Sequence, residues 1–539
     1  MMFYANAKHH LQQMAFGLSV CLGVWLTGCQ TLPKNPHPIV MPKQVSVSKT
    51  PSSSTSNQPY LEQLTHSKLS GYYPIANGAD AFAARSILSD KAQQSIDIQY
   101  YIWHNDEAGQ LMLKDLWEAA GRGVKVRLLL DDMNGSQALD RVLIRFASHP
   151  NISVRLVNPF AYRKFRGVNF LNDARRLNAR MHNKSMTFDG KVSIIGGRNI
   201  GNEYLNNTTI NNFADLDVLL IGSVVGDVAR SFEEYWQDDS AYDITTLVSP
   251  NTLRLDQLLK DVVFDDYLDS QIATKNERAL RSYRLAMQNS TISTALLEKR
   301  LPFRWTNIQF LADPASKLRQ PKYQPERHLV AQLRQKIGRP KNKLSIISSY
   351  FVPTKAGVTT LSTLANQGVK VSILTNSFDA TDVGLVHSGY AHWRKTLLQS
   401  GVNLYEVKST ASNAAADENK FWRTKQTTST SLHAKAFAVD DDQVFIGSYN
   451  FDPRSANINT ELGVLIYDQL LATRLHDVLD DTPALMEQSY HLMLNDKGKI
   501  EWHTIENHQY KIYQHEPKTS LGDRANIVIL SWLPLDWLL

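Results

Sequence analysis

The sequence predicts an α/β protein of two similar sandwich halves packed about a pseudo-twofold axis within one chain. Three observations lead there. The 539 residues exceed one ordinary domain. Strand-like and helical patterns recur in the same order over about 70–240 and about 300–500. A hairpin-like segment, RMHNKSMTFDGKVSIIGG (180–197), returns as SLHAKAFAVDDDQVFIG (431–447) at the same place in the second run.

Taken in order, residues 1–28 read as a targeting segment, with Lys8 ahead of the apolar MAFGLSVCLGVWLTG (14–28). That stretch is too short for a comfortable membrane span. It ends in Leu26-Thr27-Gly28-Cys29, which resembles the lipobox of bacterial lipoproteins, and this implies lipidation of Cys29. Gln30 follows the cysteine, and by resemblance to Gram-negative sorting that favours the outer membrane, facing the periplasm. Cys21 leaves with the leader, so no free thiol, disulfide or thiolate metal site is expected. Residues 29–58, rich in Pro, Ser, Thr and Lys, read as a disordered tether.

The first half is expected over 59–241. SIDIQYYIW (95–103), GVKVRLLLDD (123–132) and NISVRLV (151–157) carry strand-like apolar runs separated by helical stretches. KSMTF then turns at Asp189-Gly190 into KVSIIGG, and DLDVLLIG supplies a last strand. Val224, Val228, Phe232 and Tyr235 share one face of a closing helix. Residues 242–300 read as a helical insertion. The second half, 301–500, repeats the order with SIISSYFVP, GVKVSILTNS, GVNLYEV, the hairpin KAFAV/QVFIG and ELGVLIYD, and closes on a helix with Leu471, Leu475 and Leu479 on one face. Residues 501–539 are a C-terminal segment; a terminal strand plus turn packed on the core accounts for Trp532 and Trp537 among aliphatics, and the alternative is insertion at a membrane interface, which tryptophan suits.

The doubled hairpin carries the chemistry. His182 and His433 are each followed by Lys at +2 (Lys184, Lys435), Asp at +7 (Asp189, Asp440), Gly at +14 (Gly196, Gly447) and Asn at +17 (Asn199, Asn450). One such pattern is weak, but two in register within a repeated unit are not chance. Residues two apart on a strand share a face, so each His and Lys point together. Packed about a twofold, two imidazoles and two ammonium groups converge on one pocket. Lysines supply point charge for phosphate oxygens and Asn199 and Asn450 fixed amide donors. Of two histidines across a phosphorus, one attacks and the other protonates the leaving oxygen. Asp215 and Glu461, opening the next strand of each half, are candidates to orient the imidazoles. Asp189 and Asp440 belong to the repeated catalytic motif and sit at hairpin turns, so they brace it rather than touch substrate, or serve turn formation alone.

This arrangement resembles the phospholipase D superfamily, whose signature is a duplicated His-x-Lys-x4-Asp motif; both halves are thus expected to be phospholipase D-like. DIQYYIWHNDEAG, RLNARMHNKSMTFDGKVSIIGGRNIGNEY and GSYNFDPRSANINTELGVLIYD are similar, within it, to the bacterial cardiolipin synthase C type. The resemblance implies a phosphatidyltransferase that works through a phosphohistidine intermediate without metal or other cofactor. It implies His182 as nucleophile and His433 as acid/base, an order that could be reversed. It also implies phospholipid substrates, phosphatidylglycerol and optionally phosphatidylethanolamine, taken from a membrane surface; an activating protein partner stays open.

Formal net charge is +6, from 58 Lys+Arg against 52 Asp+Glu. That modest excess, with no stacking-plus-basic groove, speaks against nucleic acid as partner. Arg163, Lys164, Arg166, Arg175, Arg176 and Arg180 crowd ahead of His182, as a cationic rim for anionic lipid or as a solvated face. Other readings are a hydrolytic phospholipase D releasing phosphatidic acid, a nuclease-type phosphodiesterase, and a non-catalytic lipid-tethered scaffold.

Overall fold

The structure is a computed structural model that describes residues 69–205, 213–248, 290–381, 383–409 and 431–531, together with Leu32, Pro33, Asn35, Tyr283 and Met287. Cys29, the leader, nearly all of the tether and most of the expected insertion (249–282) lie outside the described residues, as do Trp532 and Trp537.

The first half builds β1 (Ser70–Ile75), β2 (Ser95–Tyr100), β3 (Lys125–Asp131), β4 (Ile152–Val157), β5 (Ser185–Phe188), β6 (Val192–Gly196), β7 (Phe213–Ala214), β8 (Asp217–Gly222) and β9 (Ala241–Asp243). The chain then adds β10 (Arg304–Thr306) to this sheet and passes directly into the other through β11 (Ile308–Ala312). The second half supplies β12 (Lys343–Ser348), β13 (Lys370–Asn376), β14 (Asn403–Val407), β15 (Ser431–Leu432), β16 (Lys435–Val439), β17 (Gln443–Gly447), β18 (Leu462–Tyr467), β19 (Ser489–Leu494), β20 (Ile500–Glu506) and β21 (Gln509–Tyr513). Strand orders are β10-β1-β8-β6-β5-β2-β3-β4-β9 and β11-β18-β17-β16-β12-β13-β14-β19-β20-β21. Seven successive positions correspond, from β1/β11 to β4/β14. In both, β2-β3-β4 or β12-β13-β14 run parallel and the hairpin joins antiparallel.

The all-apolar faces of these strands explain the layering. Ile195, Val218 and Leu220 of the first sheet meet Ala436, Ala438, Val444, Ile446 and Val464 of the second in one core cluster. Two further clusters fill the outer layers, under helices such as Glu107–Gly121 in the first half and Lys355–Asn366 in the second. The helix Ser223–Gln237 buries Val224, Val228, Phe232 and Tyr235 on one face, and Gln469–Asp480 buries Leu471, Leu475 and Leu479.

The structure moves two expected boundaries. β9 pairs with β4, so the first sheet runs past 241 to Asp243. The hairpin β20–β21 continues the second sheet, so that half extends to Tyr513 rather than ending at 500. The helix Leu521–Ser531 then lies on the helix Gly384–Ala391. β1, for which the sequence analysis names no strand, carries Pro74, a residue that suits a strand only where its missing N–H faces no partner. Its partner β10 reaches only Ser70–Tyr72, so Pro74 lies beyond that neighbour, while β8 pairs the whole strand.

Candidate active site

Two short contacts across the halves assemble the site. β7 pairs in parallel with β15, where the His433 and Ala434 amides both donate to Ala214 O, at 2.8 and 3.0 Å. At the related place Met181 bridges Thr460, and His182 N donates to Thr460 O at 2.9 Å. Each contact places one half's histidine beside the other half's carboxylate. His182 Nδ1 lies 2.8 and 3.0 Å from the Glu461 oxygens, and His433 Nδ1 lies 2.6 Å from Asp215 Oδ2. With Nδ1–H donating to a carboxylate in both rings, reaction at either runs through Nε2.

Both histidines and both lysines are buried. Lys184 Nζ donates to His182 O at 2.7 Å; Lys435 donates to His433 O and, at 3.0 Å, to Ser349 Oγ. Tyr101 packs edge-on to His182 at 4.9 Å between ring centroids, and Tyr204 does the same to His433 at 5.1 Å. Asn199 Oδ1 accepts from Ile102 N at 3.2 Å, while its buried Nδ2 has no partner among the described residues. Asn450 Oδ1 accepts from the Ser349 hydroxyl at 3.0 Å.

The two pairs are electrostatically unequal. Burial, joined by Lys184 and Lys435, holds the His182 imidazole well below its usual range. Burial and Lys435 bring His433 down to about 4, against the pull of Asp215. Burial opposes ionisation of Asp215 too, but His433, Lys435 and Arg198 outweigh it and hold that carboxyl low. Glu461 is instead pushed up to about 7 by burial, although Lys184 and the donating hydroxyls of Ser448 and Ser455 oppose it. Lys184 falls to about 7, again chiefly through burial. His433 therefore faces a firmly anionic partner, and His182 faces a carboxyl that shares its proton readily.

Gly197 explains part of this difference. A Cβ there would stand 2.1 Å from Asp215 Oδ1, so only glycine leaves room for that carboxylate. The equivalent position in the second half is Ser448, whose hydroxyl instead donates to the longer Glu461.

Asp189 and Asp440, placed in the catalytic motif by the sequence, lie at the far ends of their hairpins with φ of 52° and 49°. Asp189 accepts from the amides of Gln93, Gln94 and Ser95, and Asp440 from Lys341, Asn342 and Lys343. Each staples its hairpin to the start of β2 or β12 and touches no reacting group. Asp189→Ala and Asp440→Ala should therefore each lower stability by about 1–3 kcal/mol through orphaned amides, with kcat of the folded fraction retained; thermal unfolding beside turnover checks this.

Four of the six cations in the run before His182 are held in ion pairs, which leaves Lys164 and Arg175 exposed. Arg163 and Arg166 both bridge Asp132 and Asp140, Arg176 pairs with Asp173, and Arg180 is buried on Asp131. Sequence reasoning also missed His104 and Glu203, paired at 3.0 Å beside Tyr204, although both lie in the motif peptides. With Asp106 they are the one group among the described residues whose donor atoms come within 4.8 Å as metal ligands would. His104 Nδ1 is already committed to Glu203, and Tyr204 lies between this group and His433, whose charge Glu203 feels.

Comparison with known proteins agrees with this geometry. A profile of the family described as "Cardiolipin synthase, PLD-like domain" matches residues 88–236 and again 333–482, one match to each half. Cardiolipin synthase C of Escherichia coli (strain K12) is 41% identical over 476 residues, covering 87% of this chain and 96% of that one. An uncharacterized protein of Helicobacter pylori (strain J99) is 34% identical over 483 residues, covering 88% and 91%. The crystal structure of phosphatidylserine synthase from Haemophilus influenzae Rd KW20 superposes with a TM-score of 0.52 at 15% identity, over 88% of this chain and 97% of that one, and so shares the fold. With one family match to each half and 41% identity to a relative of which 96% is covered, the chain belongs to the cardiolipin synthase family of phospholipase D-like proteins.

Proposed function

We propose that the protein is a phospholipid phosphatidyltransferase that makes cardiolipin, with His182 as nucleophile and His433 as acid and base. One observation carries the reading: two buried imidazoles, each oriented by a carboxylate of the opposite half, both lie within electrostatic reach of the same two buried lysines. His182, held neutral, attacks the donor's phosphorus through Nε2, and the bond from phosphorus to the headgroup oxygen breaks. His433 gives that oxygen its proton. Its resting affinity for protons is low chiefly because the ring is buried, and further because Lys435 and Lys184 are close; a bound phosphodiester anion offsets those two charges, and Asp215 stabilises the imidazolium. In the second step His433 takes the proton from a glycerol hydroxyl of phosphatidylglycerol, which attacks phosphorus and releases His182. With phosphatidylglycerol in both roles the products are cardiolipin and glycerol. The lipobox-like Leu26–Cys29 supports a lipoprotein anchored at the periplasmic face, with the outer membrane favoured.

The test is product analysis by mass spectrometry on phosphatidylglycerol vesicles, with and without phosphatidylethanolamine, with His433→Ala alongside. Cardiolipin from the parent alone is expected; phosphatidic acid in its place would make water the acceptor and overturn the synthase reading.

A pH profile follows from the same groups. Lys184, at about 7, loses its charge as pH rises through that value, whereas Glu461, also at about 7, takes up a proton as pH falls. kcat/KM reports the free enzyme and should be bell-shaped around neutrality. Bound phosphodiester raises Lys184 again, so the alkaline limb of kcat should lie higher. Lys184→Arg, which stays charged, should remove the alkaline limb of kcat/KM and leave the acid limb in place.

A further inference from the structure

The segment between β4 and His182 has a feature that transfer chemistry does not use. Phe165, Val168, Phe170 and Leu171 are four large apolar side chains within seven residues, with 59%, 44%, 37% and 78% of their surface exposed. They occupy a 3-10 turn, Arg166–Asn169, and the start of the helix Phe170–Asn178. This loop is braced from beneath. Arg163 and Arg166 clamp Asp132 and Asp140, the Asn169 side chain bonds Tyr162 and Arg166, and Phe170 packs edge-on to buried Phe160 at 5.9 Å. A stiff support holding bare apolar groups in water marks an interaction surface rather than a loosely folded loop.

We propose that Phe165–Leu171 is an interfacial insertion element that seats the catalytic pocket on a bilayer rich in anionic phospholipid. The inference rests on the phospholipid reading above and adds where the bilayer contacts the fold. Two observations select that occupant. The exposed charges flanking the apolar groups are cationic: Lys164 and Arg175 make no ion pair among the described residues, and the neighbouring Asp173 is neutralised by Arg176. Apolar groups enter the acyl boundary while such flanking cations stay at the headgroups. The element is also continuous with the site. Its helix ends at Asn178, which accepts from Arg454 through both backbone and side-chain oxygens at 2.7 Å, and His182 follows four residues later. The end of its helix is thus tied to Arg454, whose charge acts on His182.

The test uses the full chain with Cys21 and Cys29 changed to Ser, so that a single cysteine carries an environment-sensitive fluorophore. Leu171→Cys is compared with Val478→Cys, an exposed apolar position in the second half. On phosphatidylglycerol vesicles the label at 171 should brighten by about twofold or more, shift to the blue and be quenched by lipids spin-labelled in the acyl chain, while the label at 478 should not. In parallel, Phe165→Asp/Leu171→Asp should lower the ratio of vesicle turnover to turnover of monomeric short-chain phosphatidylglycerol by about tenfold. A label at 171 that behaves like that at 478 on vesicle-bound protein overturns the proposal, as does an unchanged turnover ratio. Insertion at 171 by a parent that makes no cardiolipin supports the surface and counts against the transfer reading alone.

Discussion

His182→Ala should lose phosphatidyl transfer by about 10^4-fold or more and keep its fold. The magnitude is that of removing a covalent nucleophile whose partners act as a unit. The ring leaves little behind structurally: its main attachments are Glu461 and the edge of Tyr101, and Glu461 keeps the hydroxyls of Ser448 and Ser455. His433→Ala should behave differently in kind. Acid catalysis contributes about 10^2–10^4-fold, and His182 remains, so donors with a good leaving group should still form the covalent intermediate, which then decays slowly. Single-turnover assays with a p-nitrophenyl phosphodiester lipid separate the two: a burst in His433→Ala and none in His182→Ala. A burst only in His182→Ala would reverse the roles.

Arg180→Met should destabilise the protein by about 3–5 kcal/mol, because it strands a buried carboxylate. Arg180 and Asp131 are fully buried, joined at 2.6 and 2.8 Å, and Asp131 also accepts from Met181 N beside His182. Burial already pushes the Asp131 carboxyl up despite Arg180. Without the guanidinium it rises further, so the loss should be greatest where the unfolded chain's carboxylate is ionised. It should shrink as pH falls and Asp131 takes a proton in the folded state. The double variant Arg180→Met/Asp131→Leu should recover much of the stability, since two well-packed apolar groups replace a buried pair at little cost. Chemical unfolding of the four proteins of this cycle provides the measurement.

Much of this was legible in the chain because duplication supplies its own control. Strand order, the two hairpins and the His, Lys and Asn positions repeat in register, so each copy vouches for the other. The crossing of the carboxylates was not legible. Asp215 follows His182 in its own half, as Glu461 follows His433, and only the β7–β15 and Met181–Thr460 contacts exchange their partners. The arginine run misled for a related reason: charge is visible in sequence, but Asp132 and Asp140, which neutralise Arg163 and Arg166, arrive from distant positions. The exposure of the apolar groups between those arginines has no signature in the sequence.

The central claim is that the crossed pairs move a phosphatidyl group by way of His182. Its most direct test is to mix the protein with phosphatidylglycerol vesicles, quench in alkali-stable conditions within one turnover, and map the adduct by peptide mass spectrometry. A phosphatidyl group on His182, more abundant in His433→Ala and absent from His182→Ala, is the predicted result. Cardiolipin formed with the adduct on His433, or with no histidine adduct at any time within the turnover, would contradict it.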